Sequence, residues 1–146
     1  MRGRSGLLWG GVLALALAAS TVTPVAAKAP SVYHGTWDHA SNGACDGTDT
    51  SVTGKWNVTL RNDGTATVSI VAFTGRGQLH AAWGGNALAA DWIQQPVDGA
   101  GFDLVALNVF GFTTLTFALD EQGELRYTID PYCLDGSAAQ MVGSVN

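Results

Sequence analysis

The chain has 146 residues, of which 47% are hydrophobic and 13% charged, and its 12 acidic and 7 basic side chains give a formal net charge of -5. This length predicts a single domain, and the 19 glycines favour short strands and tight turns over charged surface helices. Because a phosphate-binding surface needs clustered Lys and Arg, the acidic balance excludes nucleic acid as an expected partner.

The first 27 residues have the pattern of a secretory signal peptide. Two arginines precede an apolar run over residues 7–19, and small residues follow it. Val25 and Ala27 supply small side chains before a cleavage site, so the mature chain is predicted to begin at Lys28. The alternative is an uncleaved membrane anchor, for which this segment is barely long enough.

The predicted mature domain, residues 28–146, keeps 5 basic side chains against 12 acidic ones, a formal charge of -7. We expect it to be secreted or held in the cell envelope, with no membrane contact after cleavage. Its only cysteines are Cys45 and Cys133. In an exported chain such a pair predicts an intramolecular disulfide, whereas a reactive thiol or metal pair lacks a partner Cys or His at ligand spacing.

Two hairpins of alternating apolar and polar residues are the clearest structural signal. Their turns are Asn62-Asp63-Gly64 and Asp120-Glu121-Gln122-Gly123, which have the composition of hairpin turns. The apolar faces are Trp56, Val58, Leu60, Ala66, Val68, Ile70 and Ala72 in the first hairpin, and Leu115, Phe117, Leu119, Leu125, Tyr127 and Ile129 in the second.

Less regular alternation predicts further strands, namely Tyr33 to Asp38, Gln78 to Trp83, Leu88 to Ile93, Phe102 to Val109 and Gln140 to Val145. Residues 86–95 could instead form one short helix, because three alanines favour a helix while Trp92 and Ile93 favour a strand. We predict an all-β fold, a small antiparallel barrel of about eight strands in up-and-down order. A β-sandwich is the alternative.

The opening strand contains Gly35-Thr36-Trp37, and Gly54-Lys55-Trp56 follows. The first motif resembles the Gly-x-Trp start of the first strand in lipocalins and other calycins. The resemblance implies a barrel in which Trp37 is structural and closes one end, while the other end admits an apolar ligand. Arg126 is the one candidate for the basic residue that packs on this tryptophan in the family.

Four tryptophans remain in the mature domain. Trp56 shares a face with Val58 and is predicted to be structural. Trp83 and Trp92 flank Gly84-Gly85-Asn86 and either pack in the core or line a ligand mouth. Together with Tyr127, the one polar group on the inner face, these two tryptophans are the candidate ligand-binding residues.

The other clusters of polar residues give weaker evidence for a functional site. Asp46 and Asp49 offer calcium ligands, but their spacing is not that of an EF-hand and a solvated Asp-Gly turn explains it better. His34, Asp38 and His39 lie close together in the first strand and are candidate metal ligands. Neighbouring strand residues point to opposite faces, however, and His80 is distant in the sequence, so these residues do not predict a metal site. We find no catalytic motif and predict no metal and no cofactor.

Three functions from different classes follow. The first is a non-enzymatic barrel that binds a small apolar molecule in its interior. The second is a module that binds an extracellular protein or glycan through its loop rim. The third is an enzyme, for which the sequence offers no positive sign. A void lined by tryptophan would favour the first, and a packed interior with an exposed aromatic patch would favour the second.

Overall fold

The computed structural model describes residues 31–74, 77–78 and 90–146, and these contain no helix. The predicted signal peptide and most of the predicted strand Gln78 to Trp83 lie outside this part of the chain. Within it, no helix of the length and hydrophobicity needed to cross a membrane is found.

Ten strands form in the described residues. They are β1 (Ser31–Ser41), β2 (Asp49–Ser51), β3 (Thr53–Leu60), β4 (Thr65–Thr74), β5 (Gly77–Gln78), β6 (Trp92–Gln95), β7 (Phe102–Val109), β8 (Thr113–Leu119), β9 (Glu124–Asp130) and β10 (Ala139–Val145).

Eight of these strands close into an antiparallel barrel. Around it the order is β1, β3, β4, β6, β7, β8, β9 and β10, and β10 pairs again with β1 from Gly35↔Val145 to Ser41↔Gln140. Apart from the closing pair of β10 with β1, each barrel strand pairs with the next barrel strand along the chain, which is an up-and-down topology. The all-β barrel prediction is confirmed, and the sandwich alternative is excluded by the closing pair.

The alternating residues face the core and the solvent as predicted. In β4 the side chains of Ala66, Val68, Ile70 and Ala72 are buried and those between them are exposed. In β8 and β9 the predicted apolar faces are likewise buried. A strand with one face in a core shows this period of two because successive Cβ atoms lie on opposite sides of the sheet.

Two short strands and two register shifts were not predicted. The short strands β2 and β5 pair with β1 and β4 outside the eight-strand cycle. The pairing of β1 with β10 shifts register between Trp37 and His39, and that of β7 with β8 shifts between Ala106 and Val109. Each shift is an irregularity of the β-bulge kind, which turns the strand locally near the barrel rim.

The ambiguous stretch 86–95 is a strand at its end. Trp92 to Gln95 form β6, where Ile93 pairs with Thr65 of β4 and with Val105 of β7. The earlier residues 86–89 lie outside the described part of the chain. The run is too short for its periodicity to separate helix from strand, and the pairing with β4 and β7 decides between them.

Phe117 lies at the centre of the barrel interior and is fully buried. Five other aromatic rings have their centroids 5.5 to 6.3 Å from its own, mostly in edge-on or tilted arrangements. They are Trp37, Trp56, Trp92, Phe102 and Tyr127. The core is thus an aromatic cluster to which six of the eight barrel strands contribute a ring.

Candidate functional site

The disulfide end of the barrel carries the longest described loops. Cys45 in the β1–β2 loop and Cys133 in the β9–β10 loop are bonded, with their Cα atoms 5.7 Å apart, as predicted. Because β1 and β10 are the paired seam strands, the bond fastens the loops that follow and precede them. We call the loop residues 42–48 and 131–138, together with residues 107–112 at the end of β7 and in its turn to β8, the disulfide rim.

Asn42 joins the same two loops through hydrogen bonds. Its side-chain amide donates to the Ser137 hydroxyl at 3.1 Å and to the Ala138 carbonyl at 2.8 Å. Its side-chain oxygen accepts from the Gly47 backbone N–H at 3.0 Å. Asn42 adopts φ 59°, a left-handed conformation that Asn tolerates better than most residues. The rim is therefore held by a covalent bond and by a polar clamp beside it.

The turn between β7 and β8 presents two aromatic side chains to solvent. Phe110 is 63% exposed and Phe112 is 71% exposed. The backbone N–H of Gly111 donates to the Asn108 carbonyl at 3.0 Å, which closes the turn. Both Asn108 and Phe110 have positive φ, at 56° and 54°. For a bulky residue such as Phe this conformation costs about 1 kcal/mol, and burial does not offset it here.

Two exposed leucines lie on the same rim. Leu107 at the bulge of β7 and Leu134 in the β9–β10 loop are both exposed. The Thr113 hydroxyl donates to the Pro131 carbonyl at 3.3 Å, which joins the start of β8 to the loop that carries Leu134. Soluble proteins scatter single apolar side chains over their surface, but several together on one rim indicate a binding surface.

Carboxylates accompany the apolar side chains of the rim. Asp46 and Asp135 are exposed, and each accepts hydrogen bonds from the hydroxyl and backbone N–H of the residue two positions later. These hydrogen bonds, from Thr48 and Ser137, lower the pKa of both carboxyls. The favoured alternative to a calcium site, an Asp-Gly turn, is what the structure contains at Asp46.

The predicted ligand residues lie in the barrel core. Trp92 is 1% exposed and Tyr127 is 0% exposed, and both rings contact Phe117. Burial also raises the pKa of the Tyr127 hydroxyl well above its ordinary value. Trp83 lies outside the described residues, and ligand binding by these three residues stays a prediction.

The two tryptophans predicted to be structural also lie in the core. Trp37 and Trp56 are buried, and their indole Nε1 atoms have no hydrogen-bond partner among the residues that the structure describes. An unpaired buried N–H is costly, so each is a place where an acceptor would be favourable. Arg126 does not pack on Trp37: its guanidinium lies on the outer wall and pairs with the carboxylate of Glu124.

The histidine cluster forms no metal site in the described residues. His39 Nδ1 lies 3.2 Å from a carboxylate oxygen of Asp38, and His34 is exposed on the outer face of β1. No group of three or more His, Cys, Asp or Glu side chains placed to hold a metal occurs in the described ranges. His80 falls outside them.

Sequence reasoning missed Asn42, Phe110, Phe112 and Leu134. The signal that was available is the turn Asn108-Val109-Phe110-Gly111-Phe112, which is apolar where hairpin turns are usually polar.

Comparison with protein-family models, curated proteins and solved structures finds no match for this chain. The class of protein is therefore defined by the fold alone, a closed eight-stranded up-and-down β-barrel with one disulfide.

Proposed function

We propose that this protein is an exported, non-enzymatic β-barrel that binds an extracellular protein through the disulfide rim. The observation that carries the proposal is the exposure of Phe110 and Phe112 on a turn with left-handed backbone. Strained backbone concentrates at functional sites, and aromatic side chains are enriched in protein interfaces.

The barrel supports this role as a rigid scaffold. The aromatic core around Phe117 fixes the strands, and the disulfide with the Asn42 clamp fixes the loops that surround the turn. Loops on a rigid scaffold bind with less loss of conformational entropy than free segments do. The predicted signal peptide and the disulfide support a location outside the cytoplasm.

The experiment is a selection of peptides from a random display library on the immobilised mature chain, starting at Lys28. We expect enriched peptides that lose binding to the double variant Phe110→Ser, Phe112→Ser. The matched control is Val32→Ser, which removes an equally exposed apolar side chain from the opposite end of the barrel. Peptides that bind the wild type and the Phe variant equally, or no enrichment, would contradict the proposal.

A second candidate is the apolar-ligand carrier that the calycin resemblance implies. The indole N–H groups of Trp37 and Trp56 find no acceptor in the described part of the chain, and this favours the carrier because a ligand oxygen could accept from them. To enter the interior, such a ligand would have to displace rings that pack on Phe117, among them those of Trp92 and Tyr127. Tryptophan fluorescence titrated with fatty acids, terpenoids and aromatic metabolites tests it. No change in emission with any compound counts against the carrier.

A further inference from the structure

The charge around the rim narrows the class of partner, and this step rests on the proposed function. The residues of the disulfide rim, 42–48, 107–112 and 131–138, contain no Lys, Arg or His. They contain Asp46 and Asp135, and two more aspartates stand at the adjoining strand ends, Asp49 and Asp130. All four carboxylates are exposed. Among these residues, every charged side chain beside the exposed apolar ones is therefore negative.

The disulfide brings two of these carboxylates close to the apolar surface. Asp46 follows Cys45, and Leu134 and Asp135 follow Cys133, so the bond holds these residues on touching loops. On the neighbouring strand, Asp130 pairs with Thr114, two residues beyond Phe112. The acidic side chains therefore border the exposed apolar ones on the β9–β10 side of the turn.

The cations of the described barrel do not neutralise this border. Arg61 lies in the β3–β4 turn at the opposite end, and Arg126 pairs with Glu124 on the outer wall. Lys55 lies on the outer face of β3, opposite Val71 of β4. A predicted mature charge of -7 adds a long-range field of the same sign, which repels anionic surfaces and attracts cationic ones.

We infer that the disulfide rim binds a basic amphipathic polypeptide segment, one that presents apolar side chains flanked by Lys or Arg. Apolar side chains of the partner pack on Phe110, Phe112 and the two leucines, and the flanking cations pair with the carboxylates. Lys and Arg also gain from contact with the faces of exposed phenyl rings. An anionic lipid surface matches the apolar turn but not the acidic border.

The test compares two labelled helical peptides of about 15 residues, one built from Leu and Lys and the other from Leu and Glu in the same positions. The protein is the mature chain with its disulfide intact, and the readout is fluorescence anisotropy. We expect the Leu/Lys peptide to bind about tenfold or more tightly than the Leu/Glu peptide, and added salt to reduce the difference.

Variants separate the two contributions. Phe110→Ser with Phe112→Ser should abolish binding of the Leu/Lys peptide. Asp46→Asn with Asp135→Asn should weaken it about three- to tenfold, since two charge pairs are lost. Asp63→Asn is the matched control, because Asp63 forms the same kind of Asp-Gly-Thr turn at the opposite end of the barrel and should leave affinity unchanged.

The outcomes distinguish this inference from the proposed function. Equal, Phe-dependent binding of both peptides overturns the basic-partner inference while rim binding stands. Loss of affinity in Asp63→Asn equal to that in the rim variant overturns it also, because the charge effect is then not local. Tighter Phe-dependent binding to vesicles containing phosphatidylglycerol, or no binding of the Leu/Lys peptide, overturns it as well. The display selection judges rim binding separately.

Discussion

The indole of Trp56 on β3 lies against Gly35 of β1, the residue opposite it in the strand register. A Cβ atom at position 35 would approach the Trp56 ring carbon Cζ2 to 2.5 Å and would also collide with the backbone carbonyl of Ser144. Gly35 therefore leaves room for the Trp56 ring against the barrel wall, next to the seam between β1 and β10.

Replacing Gly35 with Ala should lower the free energy of unfolding by about 1 to 3 kcal/mol, the usual cost of overpacking a core. Urea denaturation followed by tryptophan fluorescence measures the change. The matched control is Thr36→Ala, whose side chain points outward on the same strand and whose loss should cost less than about 1 kcal/mol. Equal effects of the two substitutions would contradict the packing account.

Phe117 and Phe112 are two phenylalanines with opposite roles in the structure. Phe117→Ala should cost about 3 to 5 kcal/mol of stability, because it removes the ring that the five other aromatic side chains contact. Phe112→Ala should change stability by no more than about 0.5 kcal/mol, because its ring is exposed. Thermal unfolding monitored by near-ultraviolet circular dichroism compares them. A large loss from Phe112→Ala would show that its ring is structural.

The disulfide should stabilise the barrel through the unfolded chain. Cys45 and Cys133 are separated by 88 residues, and closing such a loop is worth about 4 to 5 kcal/mol on the chain-entropy model. The double variant Cys45→Ser, Cys133→Ser should therefore unfold at clearly lower denaturant. Reducing agent should destabilise the wild type and leave the double variant unchanged. Equal midpoints for oxidised and reduced wild type would rule the contribution out.

Asn42→Gly isolates the polar clamp, because Gly keeps the left-handed backbone while removing the amide. Loss of the bonds to Ser137, Ala138 and Gly47 should cost about 1 to 3 kcal/mol. The backbone amides of the two loops should then exchange hydrogen faster, with core exchange unaffected once global stability is allowed for. If loop and core amides change in parallel, Asn42 has no local effect.

Acid should weaken three exposed turns that share one arrangement. In each, hydrogen bonds lower the carboxyl pKa below its ordinary value of 3.8. The ionised carboxylate therefore contributes stability above that value, and the contribution is lost as the pH falls through the folded-state pKa. The turns are those of Asp46 with Thr48, Asp63 with Thr65 and Asp135 with Ser137.

The measurement is melting temperature from pH 7 to pH 2. We expect little change down to about pH 4 and a decline below it, since these carboxyls titrate in that range. A triple Asp→Asn variant keeps an acceptor oxygen at each turn but does not titrate there, so its decline should be shallower. Curves of the same shape for the variant and the wild type would exclude these turns as a source of acid sensitivity.

Much of the barrel could be predicted because its signals are local. Alternation along β4, β8 and β9 identifies the buried side chains, since a strand places every second residue on one face. The single pair of cysteines left no other intramolecular partner for either. The strand count and short turns favoured closure because a closed sheet has no exposed edge.

The rim depended on tertiary structure. The bulge at Asn108 and the left-handed backbone of Phe110 arise where β7 shifts register against β8, and this shift is a property of the pair. Asn42 contacts Ser137 and Ala138, which lie 95 and 96 residues away along the chain, because β1 and β10 pair at the barrel seam. The alternation along one strand predicts which face of the sheet a residue occupies. The residues that lie beside it at a site come from other parts of the chain, and the local pattern does not identify them.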